Sequence, residues 1–229
     1  MWRRTQDLEG SEVMGARIST GADSKQDYRT PEDLMAAVKV RFGEIVFDLA
    51  ATADNTQHER YFAPKVILEV VGKGKTKQII SHPHHDSKAY AHDAFEHSWS
   101  LLSREFAYSG DKSDLGLLWL NCEFRDIEPW AARCRTESEK GANVLLLTPA
   151  AVGSNWFRDQ MSSADVYLLN GRPSFIPGQT YNKDCMISHF RPPELLRESK
   201  RRGGRPLPEA GGIHIWDWRK DTLRRSWRR

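Results

Sequence analysis

Apolar and polar positions near the start of the chain predict a helix followed by a buried strand. Apolar residues recur at helical spacing from Pro31 to Phe42, with Thr30 as the expected N-cap and Asp33 in capping-box register. Residues 45–51 then form a short apolar run that only Asp48 interrupts. A run of this kind is typical of a strand buried on both faces, and the polar residues after it predict a loop at its carboxyl end.

Strand and helix patterns alternate regularly after residue 115. The expected elements are a strand ending at Asn121, helices over 127–140 and 155–161, and strands over 143–147, 165–169, 185–190 and 213–218. Such alternation is typical of crossover connections between parallel strands. The chain therefore predicts an α/β fold with a mainly parallel central sheet flanked by helices.

The segment 64–93 breaks this alternation. Two β-prone runs, 66–71 and 76–80, flank the turn Gly72-Lys73-Gly74-Lys75, and this spacing predicts a hairpin. The segment and the residues just after it are also rich in histidine, but no spacing matches a compact tetrahedral zinc set. We therefore expect an insertion that contains a hairpin, and we expect no metal site.

Positive charge is concentrated towards the end of the chain. The net charge is +3, and residues 191–229 hold twelve Lys or Arg against five Asp or Glu. The segment is therefore at +7, which leaves −4 for residues 1–190. A segment of that sign attracts a phosphate backbone, although a solvated, disordered tail has the same composition.

The predicted organisation has three parts. They are a flexible N-terminal arm (1–27), a folded domain (28–190) that contains the insertion (64–93), and a basic extension (191–229) with a strand over 213–218. No apolar run approaches the roughly 20 residues of a membrane helix. Because polar residues follow Met1-Trp2-Arg3-Arg4, we expect no secretory signal and a cytoplasmic protein. The three widely spaced cysteines are expected to be reduced thiols.

The candidate chemistry lies at the end of the strand that stops at Asn121. The apolar run 117–120 is followed by Asn121, Cys122, Glu123 and Phe124. The amide oxygen of Asn121 and the backbone carbonyl of Cys122 can accept both hydrogens of an exocyclic amine. The ring of Phe124 offers a face on which a flat base can stack. These four residues therefore predict a site for a nucleotide base that carries an amino group.

This segment resembles the Asn-Pro-Pro-Tyr/Phe motif of amino-directed DNA methyltransferases, with Cys122 and Glu123 in place of the prolines. Further segments follow in the order expected of the phage DNA N6-adenine methyltransferase family. They are Tyr28-Arg29-Thr30-Pro31, residues 47–52 with Asn55 and Tyr61-Phe62, residues 145–149, Asn155-Trp156-Phe157, and residues 171–175. The resemblance covers roughly residues 25–62 and 115–190.

The resemblance implies a Rossmann-like methyltransferase fold that uses S-adenosylmethionine to methylate the N6 amine of adenine in double-stranded DNA, as in phage-encoded or restriction-modification enzymes of the host cytoplasm. The implied catalytic residues are Asn121, Cys122, Glu123 and Phe124. The implied cofactor-binding residues are Tyr28, Thr30, Pro31, Asp48, Ala50, Ala51 and Asn55. A second wall of the base pocket is implied for Trp156, Phe157 and Phe175, and phosphate contacts are expected from Arg172, Arg201, Arg202 and Arg205.

The two departures from the motif leave alternatives open. Cys122 keeps the backbone carbonyl but loses the backbone restriction of a proline. The carboxylate of Glu123 would repel DNA phosphate unless it turns away or pairs with a neighbour such as Arg125. One alternative is therefore a catalytically impaired DNA-binding protein with the methyltransferase fold. A cytosine-N4 methyltransferase is the other, although motifs of that class usually begin with Ser.

Overall fold

A computed structural model of the chain describes residues 29–71, 78–107, 115–193, 195 and 211–226. Helices cover Glu32–Phe42 (α1), Trp99–Glu105 (α2), Ile127–Glu139 (α3), Asn155–Gln160 (α4) and Trp218–Ser226 (α5). Strands cover Ile45–Asp48 (β1), Phe62–Ala63 (β2), Val66–Val71 (β3), Gln78–Pro83 (β4), Ala91–His92 (β5), Leu117–Leu120 (β6), Asn143–Pro149 (β7), Asp165–Leu169 (β8), Cys185–Phe190 (β9) and Ile213–Trp216 (β10). The predicted arm, Tyr28 and the three tail arginines 201, 202 and 205 lie outside the described residues.

The central sheet has six strands in the order β1-β6-β7-β9-β8-β10. Strands β1, β6 and β7 are parallel neighbours, and β8 is parallel to β10. Strand β9 runs antiparallel to both β7 and β8. The expectation of an α/β fold with a mostly parallel sheet flanked by helices is therefore confirmed.

The chain around β2 lies on the free side of β1, where Tyr61 forms an isolated parallel bridge with Asp48. The amide of Asp48 donates to the carbonyl of Arg60 at 2.9 Å, and the amide of Ala51 donates to the carbonyl of Phe62 at 3.1 Å. On the opposite side, the amide of Leu49 donates to the carbonyl of Trp119 in β6 at 2.8 Å. Strand β5 pairs in parallel with β2. The chain thus leaves β1 towards one side and later continues from β6 towards the other, which makes the carboxyl end of β1 a topological switch point.

The apolar strands have helices on both faces of the sheet. Leu118 and Leu120 of β6 pack in a cluster with Trp130 and Cys134 of α3. The alternate residues of β6, Leu117 and Trp119, pack in a second cluster with Leu34 and Val38 of α1 and Trp218 of α5. Burial on both faces explains why β6 and β7 are continuous apolar runs rather than alternating ones.

Helix α1 begins one residue later than the sequence predicted. Its N-cap is Pro31, which has extended backbone geometry, and no side chain caps it. The prediction of Thr30 as N-cap is therefore wrong. The hydroxyl of Thr30 makes a different contact, described below. Acidic residues in the first turn and basic residues in the last turn suit the helix dipole, and the helix stops at Gly43 with φ +104°.

The insertion contains the predicted hairpin. Strands β3 and β4 pair antiparallel from Val66 opposite Pro83 to Val71 opposite Gln78, in a two-stranded sheet of their own. The second strand continues to Pro83, three residues past its predicted end at Ile80. The pairing of the two predicted strands is confirmed, with this change of boundary, whereas the predicted turn 72–75 lies outside the described residues.

The described part of the basic extension belongs to the main fold. Strand β10 pairs with β8, and it ends at Trp216 rather than at the predicted 218 because Trp218 begins α5. Helix α5 packs against α1, where the hydroxyl of Thr222 donates to the carbonyl of Asp33 at 3.2 Å. None of the helices that the structure describes has the length and apolar character needed to cross a membrane.

Candidate functional site

Two strand ends meet at the switch point. Asp48, the last residue of β1, lies beside Trp119 of β6, and Asn121 follows β6 directly. Ligands of open parallel sheets bind outside the carboxyl ends of strands at such a point. The fold therefore brings Asp48 and Asn121 to the edge where a ligand is expected.

A hydrogen bond joins Asn121 to the segment that precedes α1. The Nδ2 group of Asn121 donates to Oγ1 of Thr30 at 3.1 Å, across 91 positions of sequence. Thr30 is buried, with 2% of its surface exposed. A carboxamide held through its nitrogen presents its oxygen on the other side of the group. Thr30 thus orients the residue that is expected to accept a bond from the target amine.

Asp48 is a buried carboxyl group held by backbone donors. It is 2% exposed, its Oδ1 accepts from the amide of Ala50 at 3.3 Å, and its Oδ2 accepts from the amide of Gln57 at 2.9 Å. Burial raises the pKa of Asp48 to about 7, against the opposing effect of these two bonds. Among the described residues, no cation contributes to the shift of this pKa.

The loop after β1 is shaped by its own polar side chains. Oδ1 of Asn55 accepts from the amide of Thr52 at 2.7 Å, and the carbonyl of Thr52 accepts from the amides of Asn55 and Thr56 at 3.2 and 3.1 Å. Ala51 is buried and Ala50 half-buried within this loop. Asn55, expected as a cofactor contact, therefore fixes the turn in which the two alanines lie. We call residues 48–57 the β1 loop.

Cys122 is a core residue by its side chain. The thiol is 4% exposed and packs in the cluster that contains Trp130 and Cys134. Burial raises the pKa of Cys122 well above its ordinary value. A buried, protonated thiol is a poor nucleophile, so the contribution open to this residue is its backbone carbonyl.

Glu123 is a half-buried carboxyl group beside Asn121. Its Oε1 is buried and has no hydrogen-bond partner in the part of the chain that the structure describes. Burial raises the pKa of Glu123 to about 7, Asp126 adds to the rise, and the charge of Arg125 opposes it. The group therefore titrates near neutral pH, so it carries only part of a negative charge at pH 7. We call residues 121–126 the β6 loop.

Three aromatic rings meet beside the β6 loop. The ring of Phe124 lies 6.3 Å from that of Phe175 at 76° and 6.2 Å from that of Tyr181 at 57°. Phe175 and Tyr181 are 5.2 Å apart at 85°. All three are half-buried, and Phe124 also packs against both core clusters. We call these residues the aromatic cluster.

Tyr181 was not identified from the sequence, although a turn signal was present. Ile176 bridges Gln179 around Pro177-Gly178, and Gly178 has φ +77°. A Pro-Gly pair is typical of a tight turn that reverses the chain. This reversal returns Tyr181 to the neighbourhood of Phe175, so the turn could have predicted the third ring.

Two other expected aromatics occupy the edge of one core cluster. Trp156 and Phe157 contact each other with ring centroids 6.1 Å apart, and both pack against the cluster beneath α3. They lie on α4, whose N-cap Ser154 accepts a bond from the amide of Phe157 at 3.4 Å. Packing accounts for both rings, and their role in a second pocket wall stays a prediction.

Two arginines form ion pairs with acidic residues of the protein. Arg172 pairs with Asp184 at 2.8 Å on the surface, and the buried Arg191 forms an ion pair with Asp165. Within the described ranges, no group of three or more His, Cys, Asp or Glu side chains is arranged to hold a metal ion. The phosphate contact expected of Arg172 stays a prediction.

The site thus combines an oriented carboxamide, a buried carboxyl group and an aromatic cluster at one sheet edge. We compared the chain with protein-family models, with curated proteins and with solved structures, and none of them matches.

Proposed function

We propose that the protein is an S-adenosylmethionine-dependent methyltransferase that acts on the N6 amine of adenine in double-stranded DNA. The observation that carries the proposal is the contact between Asn121 and Thr30 beside Asp48. In the sequence, these three residues belong to separate segments of the family resemblance, and nothing in the sequence joins them. Their assembly at a topological switch point is what a shared site for cofactor and base requires.

The chemistry of Asp48 fits a cationic cofactor. A buried carboxylate is costly unless a positive group accompanies it, and no such group occurs among the described neighbours of Asp48. When bound, S-adenosylmethionine supplies a methyl group on a positively charged sulfur. Its ammonium group would compensate the charge of Asp48, while Ala50 and Ala51 leave room for the cofactor to approach the backbone.

The β6 loop supplies what the amine needs. The lone pair of an adenine amine is delocalised into the ring, so the amine is a weak nucleophile until its hydrogens are held. Oδ1 of Asn121 and the carbonyl of Cys122 accept those hydrogens and stabilise the positive charge that develops on nitrogen. Phe124 stacks on the base, which must leave the duplex to reach this pocket.

Transfer of labelled methyl groups from S-adenosylmethionine to unmethylated duplex DNA tests the proposal. The wild-type protein is expected to label the DNA, and digestion to nucleosides is expected to give N6-methyladenine. Asn121→Ala is expected to lower the rate at least about a hundredfold, because one of two acceptors for the developing charge is lost. Asn170→Ala, which removes an exposed carboxamide after β8, is the matched control.

Labelling that yields N4-methylcytosine would replace adenine by cytosine as the target. Equal labelling by the wild-type protein and Asn121→Ala would refute the assignment of this site.

One observation favours a second candidate, a DNA-binding protein with an impaired pocket. Glu123 stands where the resembled motif has proline, and its buried oxygen lacks a partner among the described residues. A double variant, Cys122→Pro with Glu123→Pro, separates the two candidates. Activity that is absent from the wild-type protein and present in the double variant would establish the impaired pocket.

A further inference from the structure

The C-terminal helix reaches the chain segment that carries two rings of the aromatic cluster. Helix α5 begins directly after β10, at the carboxyl edge of the sheet. The ring of Trp218 is 1% exposed, and its Nε1 donates to the carbonyl of Gly171 at 2.8 Å. Gly171 follows β8 and begins the excursion that contains Phe175 and Tyr181. We call residues 171–181 the β8 loop.

Arg219 makes the second contact between α5 and the β8 loop. Its Nη2 donates to the carbonyl of Arg172 at 2.9 Å, and its guanidinium lies 4.5 Å from the ring centroid of Trp218. Gly171 has φ +96°, and a Cβ at this position would collide with Nη1 of Arg219. The glycine therefore leaves the space that the guanidinium occupies.

The two contacts are transmitted to the rings by the shape of the loop. The amide of Tyr181 donates to the carbonyl of Pro173 at 2.9 Å, which ties the returning arm of the loop to the outgoing one. The outgoing arm is the one that α5 holds at Gly171 and Arg172. Phe175 and Tyr181 then contact Phe124 from this tied loop.

We propose that Trp218 and Arg219 are positioning residues, which hold the β8 loop so that the aromatic cluster receives the target base at Phe124. The inference rests on the proposed function, since the base is the ligand that the cluster would receive. It gives the C-terminal helix a part in methyl transfer although no residue of α5 is assigned to the reacting atoms. The part is geometric, because a displacement of about 1 Å in a reactive complex costs up to about a hundredfold in rate.

Arg219→Ala and its neighbour Lys220→Ala form the test pair. Both residues are exposed on the first turn of α5, but Lys220 pairs with Asp217 at 2.8 Å instead of contacting the β8 loop. Arg219→Ala is expected to speed amide hydrogen exchange in residues 171–181 about fivefold, the effect of one lost hydrogen bond. Exchange in the β1 loop is expected to stay as in the wild-type protein, and Lys220→Ala is expected to change neither segment.

Kinetics supply the second readout. Arg219→Ala is expected to lower kcat on unmethylated duplex DNA about tenfold, while KM for S-adenosylmethionine stays within about twofold, because the β1 loop is untouched. Arg219→Lys keeps the charge but loses the guanidinium geometry. Its kcat is therefore expected to lie between those of the wild-type protein and Arg219→Ala. Should Arg219→Ala fail to fold, Arg219→Lys and Gly171→Ala address the same contact.

The outcomes separate the two proposals. If the wild-type protein transfers no methyl group, the proposed function fails, and the positioning role, which presumes that function, fails with it. Faster exchange in Arg219→Ala would then still show that α5 holds the loop. If the wild-type protein is active and Arg219→Ala changes exchange but not kcat, the positioning role fails and the proposed function stands. Equal effects of Arg219→Ala and Lys220→Ala would also overturn the positioning role.

Discussion

The β1 loop and the β6 loop lie side by side at the sheet edge but are held by different forces. In the β1 loop, side chains and backbone amides within ten residues bond one another, as Asp48 does with Gln57 and Asn55 with Thr52. In the β6 loop, Cys122 and Phe124 are held by packing, and Asn121 bonds to a threonine far away in sequence. The polar side chains of the β1 loop are therefore bonded locally, whereas the side chains of the β6 loop are held by the assembled core.

The two loops also differ in the burial and hydrogen bonding of their carboxyl groups. Asp48 is buried and both of its oxygens are hydrogen-bonded, so a negative charge on it lacks only a compensating positive charge among the described residues. Glu123 is half-buried with Oε1 lacking a hydrogen bond among the described residues. The first arrangement suits a resident cationic ligand, and the second suits a group that changes its charge when its surroundings change.

The largest expected effect is on the cofactor side. Asp48→Ala removes the carboxyl group that would balance the ammonium group of S-adenosylmethionine, and we expect cofactor affinity to fall several hundredfold, as for a broken buried ion pair. Calorimetric titration of the purified protein measures it. Asp54→Ala, an exposed acid of the same loop, is the control and should bind as the wild-type protein does. Equal affinity in Asp48→Ala would remove Asp48 from the cofactor site.

The free energy of unfolding should also depend on pH through the buried Asp48. The pKa of Asp48 is about 7 in the folded protein against an ordinary 3.8, so the folded state keeps a proton that the unfolded chain loses above pH 4. Its stabilising contribution is therefore complete below about pH 4 and is lost as the pH rises through 7. Between pH 5 and pH 8 the loss is about 3 kcal/mol.

Urea unfolding at these two pH values measures the loss. Asp48→Asn cannot titrate, so the difference between the two pH values should shrink by that amount in the variant. The same pH dependence in both proteins would contradict the assignment of the buried charge.

A smaller effect is expected where the β6 loop bonds to the segment before α1. Thr30→Val keeps the shape of the side chain but removes the acceptor of Asn121, and we expect the methyl-transfer rate to fall about tenfold. Thr30→Ser retains the hydroxyl and should retain most of the rate. If the valine variant matches the serine variant, the hydrogen bond does not orient Asn121 for the reaction.

The smallest effect is expected at Glu123. Its pKa of about 7 means that negative charge, and with it repulsion of DNA phosphate, increases as the pH rises through 7. We expect DNA affinity to fall about threefold between pH 6 and pH 8 through this group. Glu123→Gln should lose that component, whereas Glu128→Gln on α3 should keep it. Fluorescence anisotropy of labelled duplex DNA at constant ionic strength measures the difference.

Much of the fold could be predicted because burial leaves a strong pattern. Strands β8 and β9 have the predicted bounds, β6 was predicted as a continuous apolar run, and β7 continues to Pro149, two residues past its predicted end at 147. Helix α5 was missed because its sequence is strongly basic, although Trp218 anchors it in the core. The short strands β2 and β5 were missed because a strand of two residues is too short to show an alternation of apolar and polar positions.

The candidate site divides in the same way. The turn of the β1 loop could be predicted, since Asn55 is a turn former. The start of the loop could not, because the apolar run predicted a strand over 45–51, whereas β1 ends three residues earlier, at Asp48. The bond from Asn121 to Thr30 could not, because it joins positions 91 residues apart and exists only after the sheet has formed. The role of Thr30 as N-cap was wrong for the same reason, since its hydroxyl has a tertiary partner.

Helix α5 lies against α1, and α1 follows directly from Thr30 and Pro31. The hydrogen bond from Thr222 to Asp33 joins the last described helix to the first turn of α1. Trimming α5 is therefore expected to loosen the start of α1 and, through it, the position of Thr30, so the two ends of the described chain should lose their structure together.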